Sequence, residues 1–251
     1  MAGKLDAGSY TWDAEEQECI QCLRQVTGSV EQPGDGDYDR RVAAFGRELR
    51  FSLSGYRRFS GVTLAVPLLG RPIAVVMESA RSRVSGLPEV RVEDAELARR
   101  YRVVGSPPQA VAEALDEPTR RWLVQLAGAG APEITTRGDF LVFYFPKELL
   151  KSPAAGGAPG PPATFSPQLL GFYLQTAVRM TDALIRSFDR EHALVAQTQG
   201  PAAAQAWLSQ AAERKRRGAS VSNPRVLVLM VIILGVLAGC VVAAAAALHS
   251  C

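Results

Sequence analysis

The hydrophobic pattern is strongest at residues 226–248, where 23 consecutive residues carry no charge and 13 of them are Val, Ile or Leu. A helix of this length is about 34 Å long at ~1.5 Å per residue, and the hydrocarbon core of a bilayer is about 30 Å thick. So long an apolar run is typical of a membrane span and not of a buried helix in a soluble domain. The sequence therefore predicts a C-terminal transmembrane helix.

Upstream of this segment, the pattern is typical of an α+β domain. Alternating or continuous apolar runs predict strands at 47–54, 62–69, 73–77, 101–104, 133–136 and 140–145. The triplet Arg137, Gly138 and Asp139 separates the last two runs. We interpret it as a hairpin turn and not as an integrin ligand, and we expect a mostly antiparallel sheet covered by helices.

Helical periodicity predicts the helices that cover this sheet, beginning with a short one at 11–27 and two more between 106 and 128. Ser166 and Pro167 are the N-terminal signal of a long helix. Its apolar face recurs at helical spacing through Leu170, Leu174, Ala177, Thr181, Leu184 and Phe188. We expect this face to close the core, with a coiled coil to a partner as the alternative. A last Ala-rich helix carries Trp207, either at the membrane interface or packed on the body.

These elements divide the chain into four parts. Residues 1–40 hold the N-terminal helix and a turn-rich acidic linker, and residues 41–198 form the α+β domain. Residues 199–225 are a basic juxtamembrane segment, and residues 226–248 are the transmembrane helix.

The charge is concentrated beside the predicted span. The net charge is +3, but residues 201–251 hold five basic and one acidic side chain, so the preceding body is slightly acidic. The basic cluster consists of Arg214, Lys215, Arg216, Arg217 and Arg225. An acidic body disfavours nucleic acid as a partner, and the cluster fits an anionic lipid leaflet. By the positive-inside rule, the N-terminal body lies in the cytoplasm, and we expect a bacterial inner membrane with no secretory signal at the N-terminus.

Cys19 and Cys22 form the one spacing that suggests redox or metal chemistry. A zinc site needs two further ligands, and the chain offers few: Cys240, Cys251, His192 and His249. The carboxylates of Glu15, Glu16 and Glu18 are expected to raise the pKa of the thiols and make them poor nucleophiles. We treat the two cysteines as a candidate redox pair, with inert reduced thiols as the favoured interpretation and no cofactor or metal expected.

No motif of a known catalytic centre is found in the sequence. There is no Gly-x-Ser-x-Gly elbow, phosphate-binding glycine loop or HExxH helix. The acidic pairs Glu93–Asp94 and Asp116–Glu117 are interpreted as helix-start residues that favour the helix dipole. We therefore favour a non-enzymatic role.

Within the span, Gly235, Gly239, Ala243 and Ala247 are spaced four apart. Small residues on one face allow two helices to approach closely, so this transmembrane packing face is a candidate for homodimerisation.

The order of strands and helices also resembles that of a known group of proteins. The run Val-Glu-Asp-x-x-x-x-x-x-Tyr-x-Val-x-Gly-Ser at 92–106 precedes two short helices, a hairpin and a closing helix. This arrangement resembles a group of uncharacterised bacterial membrane-associated domains, over about residues 45–190. Leu97 stands where that group more often has an aromatic residue. The resemblance implies a fold and no catalytic residues.

Together these patterns predict a single-pass, C-terminally anchored membrane protein of unknown activity. Its cytosolic domain is expected to act as an interaction or scaffold module at the membrane surface, with an unknown protein partner. The alternative is a thiol redox or metal-linked sensor that uses Cys19 and Cys22.

Overall fold

The computed structural model describes residues 14–28, 32–33, 40–54, 60–79, 86–128, 133–151 and 164–220. In these residues the predicted α+β fold with an antiparallel sheet is confirmed, and the sheet has the strand order β1-β2-β3-β4-β8-β7-β5-β6. The strands are β1 (Gln32–Pro33), β2 (Arg40–Ala44), β3 (Arg47–Ser54), β4 (Gly61–Pro67), β5 (Ala74–Ser79), β6 (Tyr101–Ser106), β7 (Ile134–Arg137) and β8 (Phe140–Pro146).

The helices, like the strands, match most of the predicted segments. They are α1 (Ala14–Thr27), α2 (Ala95–Arg100), α3 (Pro108–Ala114), α4 (Glu117–Gly128), α5 (Lys147–Leu150), α6 (Pro167–Gln199) and α7 (Pro201–Ser220). The described part of the predicted acidic linker joins the sheet, since Gln32 and Pro33 pair with Arg41 and Arg40 at its edge.

The centre of the sheet is a pairing between strands that are far apart in sequence. β4 pairs with β8, and Leu64 lies opposite Phe143 in this register. Alternate residues of both strands, Leu64 and Val66 on one and Phe143 and Phe145 on the other, are fully buried. Burying each such side chain contributes roughly 1.5–3 kcal/mol, so this pair of strands forms the middle of the hydrophobic core.

Acidic and hydroxyl side chains begin several of the helices. The carboxylate of Asp94 accepts hydrogen bonds from Glu96 N and Leu97 N, at 3.0 and 2.9 Å. The Asp116 carboxylate accepts one from Thr119 N at 2.9 Å. Each carboxylate satisfies backbone donors that have no partner within the helix. The interpretation of these acids as helix-start residues is confirmed.

The long helix α6 closes the core as predicted. All six residues of its predicted apolar face are buried. Thr181 is accommodated among them because its hydroxyl donates to Ala177 O at 2.8 Å within the helix. Since this face is buried in the body, it is not open to a coiled-coil partner.

The two terminal helices of the described chain pack on the same core. In α1, Cys19 and Leu23 belong to the cluster that α6 covers. In α7, Ala211 is buried, and the Trp207 ring lies 4.9 Å from that of Phe188, measured between centroids. Of the two expectations for Trp207, the structure supports packing on the body.

Candidate functional site

Helix α1 places Cys19 and Cys22 on one face, since residues three apart in a helix are neighbours. Both side chains are buried, and the Cys22 thiol donates to Phe165 O at 3.7 Å. The exposed side of α1 is tied to the body as well. Glu15 forms ion pairs with Lys147 and Lys151.

Burial makes both thiols weak acids. It raises the pKa of Cys19 to about 12, with smaller contributions from Cys22, Glu16 and Glu18. Burial also raises the pKa of Cys22, and the negative charge of Glu18 raises it by a smaller amount. The sequence pointed to the carboxylates as the cause, but removal from water is the larger one. A thiol must ionise to attack a disulfide or bind a metal, and in the described residues no group of His, Cys, Asp and Glu could hold a metal ion. These observations favour inert, space-filling thiols.

Alkaline pH is expected to destabilise the protein through Cys19. The pKa of its thiol is 9.0 when unperturbed and about 12 in the folded state. The unfolded state therefore loses this proton first. The stabilisation is complete below pH ~9 and is lost as the pH rises towards ~12. Over this range the free energy of unfolding falls by roughly 1 kcal/mol per pH unit. Urea unfolding of the full chain at pH 8, 10 and 11 would measure this loss. A Cys19→Ala variant should lose less stability over the same range, and an unchanged slope would contradict the burial of the thiol.

The predicted basic cluster is divided by the structure. Lys215 faces the body, where its ammonium donates to Arg71 O at 3.3 Å and lies 3.7 Å from an Asp139 oxygen. Arg214, Arg216 and Arg217 are exposed on the other side of α7, while Arg225 lies outside the described residues. Arg216 and Arg217 pair with Glu213 of the same helix, at 3.9 and 3.1 Å between nitrogen and oxygen, and all three arginines stay exposed to solvent. The lysine fixes the end of α7 to the body.

Lys215 approaches two of three turns that lie together at one end of the sheet, which we call the turn end. It consists of the β2–β3 turn at Phe45 and Gly46, the turn after β4 at Leu69 and Gly70, and the β7–β8 turn at 138–139. Gly70 N donates to an Asp139 carboxylate oxygen at 2.9 Å, which joins the second and third turns. Sequence reasoning identified the third of these as a turn but singled out neither Phe45 nor Leu69. The available signal was a bulky residue before glycine, where Asn or Asp is usual in tight hairpins.

A separate cavity of about 530 Å³ lies between α2, the start of β6 and the segment before α2. Its lining includes Leu97, Tyr101 and the guanidinium-bearing Arg91 and Arg102. Glu89 also lines it, so the cavity combines apolar walls with charges of both signs. No cysteine, serine or histidine from the described ranges lines it.

An acid with a raised pKa lies elsewhere, on α6. Burial raises the pKa of Glu191, against the opposing effect of hydrogen bonds from Ala110 and Trp207. His192 is its neighbour in sequence, and its ring lies 5.8 Å from that of Trp207. Neither Glu191 nor His192 lines the cavity at α2. The acid with the raised pKa therefore does not belong to this cavity.

The predicted transmembrane packing face, Gly235, Gly239, Ala243 and Ala247, lies outside the described residues. Over the ranges that the structure does describe, no helix is both long and apolar enough to cross a membrane.

No protein-family model, no curated protein and no solved structure matches this chain. The resemblance of residues 45–190 to uncharacterised membrane-associated domains therefore stays a prediction.

Proposed function

We propose that this chain is a single-pass membrane protein, anchored by residues 226–248, whose α+β body acts as an interaction or scaffold module at the cytoplasmic face of the membrane. The observation that carries the proposal is the charge-free run of 23 residues that follows the basic end of α7. A span of this kind preceded by a cluster of arginines favours a cytoplasmic body, here in a bacterial inner membrane.

The end of α7 limits how far the body can lie from the bilayer. Helix α7 ends at Ser220, and the charge-free run begins at Val226. An extended chain covers at most about 3.6 Å per residue, so the two points are within ~22 Å of each other. The body is therefore held near the lipid headgroups, where a scaffold or adaptor would act.

The charge distribution supports lipid and protein as partners and disfavours nucleic acid. The exposed arginines of α7 can each contribute about 1 kcal/mol at the surface of an anionic leaflet. The small-residue face of the span supports a homodimer as one form of assembly. The alternative, a redox or metal-linked sensor, has less support because both thiols are buried and have raised pKa values.

Membrane extraction tests the anchoring. The full chain and a chain that ends after Ser220 would be expressed in bacteria, and the membranes washed with alkaline carbonate. We expect the full chain to stay in the membrane pellet and the shortened chain to move to the supernatant. Recovery of the full chain in the carbonate supernatant would contradict the anchor.

Crosslinking with mass spectrometry on intact membranes tests the scaffold role. Specific protein partners should crosslink to the full chain and be lost when the chain ends after Ser220. If a full chain that resists carbonate gives self-crosslinks alone, the role as a scaffold for other proteins is wrong, and the dimer remains.

A further inference from the structure

We propose that the turn end is a lipid-docking surface. In this proposal, which rests on the proposed membrane anchoring, Phe45 and Leu69 insert into the boundary between headgroups and acyl chains of an anionic bilayer. Arg137, at the third turn, and the exposed arginines of α7 contact the lipid phosphates. The proposal adds a defined orientation of the body to the anchoring by residues 226–248.

The first observation is an unusual backbone conformation at both apolar residues. Phe45 and Leu69 have φ angles of 53° and 54°, and they are the two non-glycine residues with positive φ in the described part of the chain. Each is followed by a glycine that also has positive φ, which is the pattern of a tight type I′ turn. A bulky residue there costs about 1–2 kcal/mol, whereas Gly, Asn or Asp would adopt the conformation more easily.

The second observation is that neither side chain is buried in the body, so burial does not offset the backbone strain. Phe45 is 40% exposed and Leu69 is 47% exposed. Large side chains in a strained turn often gain burial in the core, but these two remain in contact with solvent. Single exposed apolar side chains are normal on proteins, so the exposure of these two supports binding only together with their position at one end of the sheet.

The third observation is that the two side chains lie at the same level of the sheet. The β2–β3 turn lies between the paired residues Ala44 and Arg47, and the β3–β4 register places Arg47 level with the end of β4. Neighbouring strands are ~4.8 Å apart, so the tips from β2 to β7 lie within about 20 Å of one another. The apolar tips can therefore touch one flat surface at once.

Charge and chain length identify that surface as lipid. Arg137 is exposed at the third turn, and Lys215 holds the arginine-rich end of α7 against the second and third turns. From Lys215 to the charge-free run there are ten intervening residues, five of them helical, which reach at most about 30 Å. The turn end is thus the end of the body next to the proposed span, and its apolar tips with flanking arginines are the combination that binds anionic membrane interfaces.

The matched control is Phe172, an exposed phenylalanine at the other end of the sheet. It is 48% exposed, close to the value for Phe45. Its neighbour Tyr173 stacks on Phe145, which pairs with Val62 near the start of β4 and hence away from the turn end. A probe at 172 therefore reports on an exposed site that the proposal places away from the lipid.

The experiment places a fluorescent probe at each position in the full chain. Phe45→Cys, Leu69→Cys and Phe172→Cys are made separately in a background of Cys240→Ser and Cys251→Ser, while the buried Cys19 and Cys22 are left in place. Each labelled protein is reconstituted in phosphatidylcholine liposomes with or without phosphatidylglycerol. Lipids that carry a quencher near the acyl boundary then report contact, because interfacial apolar groups lie ~5–10 Å into this region.

We expect the probes at 45 and 69 to lose emission in liposomes that contain phosphatidylglycerol, and the probe at 172 to keep it. An Arg214→Glu/Arg216→Glu variant should weaken the quenching at 45 and 69. Equal quenching at all three positions would overturn the proposal. If the emission of the probes at 45 and 69 changes with the protein-to-lipid ratio and not with the quencher, the two tips contact a second copy of the chain, and the proposal is wrong. If the protein fails to float with liposomes, the anchoring itself is wrong. Flotation without quenching refutes the docking surface alone.

Discussion

Gly61→Ala is expected to destabilise the body by about 3 kcal/mol or more. A Cβ atom at Gly61 would overlap the Phe145 carbonyl oxygen and lie 3.1 Å from its carbonyl carbon. Both are backbone atoms of β8, which cannot move away without disturbing the central β4–β8 pairing. Overpacking in a core costs about 1–3 kcal/mol where side chains can adjust, and here they cannot. Urea unfolding of the full chain in detergent micelles would measure the loss.

Gly86→Ala is the control for this prediction. Nothing lies within 4 Å of a Cβ atom built at Gly86. The free energy of unfolding should therefore change little, or rise by about 0.4–1 kcal/mol because alanine restricts the unfolded chain. Similar losses for the two variants would show that the close approach of β4 and β8 is wrong.

Phe143→Ala is expected to cost about 3–5 kcal/mol, the range found when a buried phenylalanine is reduced to alanine. Phe143 is fully buried at the centre of β8. Its ring lies 6.1 Å from that of Phe145 and 6.5 Å from that of Trp122, between centroids. The substitution removes contacts with the sheet and with α4 together, so it leaves a cavity that neither layer can fill.

The exposed Phe172 provides the matched substitution. Phe172→Ala makes the same chemical change on α6 at a side chain that is 48% exposed. Surface substitutions usually change stability by no more than about 0.5 kcal/mol. A difference of several kcal/mol between the two variants in thermal or urea unfolding would support the core; equal effects would contradict it.

Local signals in the sequence were sufficient to predict most elements of the fold. Alternation predicted β3, and an apolar run beside a glycine turn predicted β8. Ser166 with Pro167 predicted the start of α6, where the Ser166 hydroxyl accepts from Leu169 N at 3.3 Å. These features depend on residues close together in the chain, and their physics is local. Strand β2, which lies next to the two-residue edge strand β1, gave a weaker signal because it has five residues and begins with two arginines.

The strand order was beyond this reasoning. β4 pairs with β8, and β5 lies between β7 and β6, so the sheet depends on pairings across long stretches of chain. Alternation shows which residues share a face of a strand, but it does not show which strand lies beside it.

The candidate site, like the fold, was predictable only where its features depend on residues close together in the sequence. The basic cluster was visible in the sequence, but the attachment of Lys215 to Arg71 and Asp139 depends on the folded position of two distant turns. The inert character of Cys19 was favoured on charge, whereas burial, which a single sequence does not show, is its main cause. Phe45 and Leu69 were missed because their significance lies in φ angles and exposure.

The packing of α1 against the far end of the domain determines when the body can fold during synthesis. Glu18 accepts a hydrogen bond from Phe165 N across 147 residues of sequence. At about 5–20 residues per second, the ribosome takes roughly 7–30 s to supply that partner, and the apolar face of α1 stays uncovered for this time. Ala211, in α7, is buried in the same core, and Val226 follows it 15 residues later, or about 1–3 s. Closure of the core and delivery of the apolar segment at 226–248 therefore nearly coincide in time.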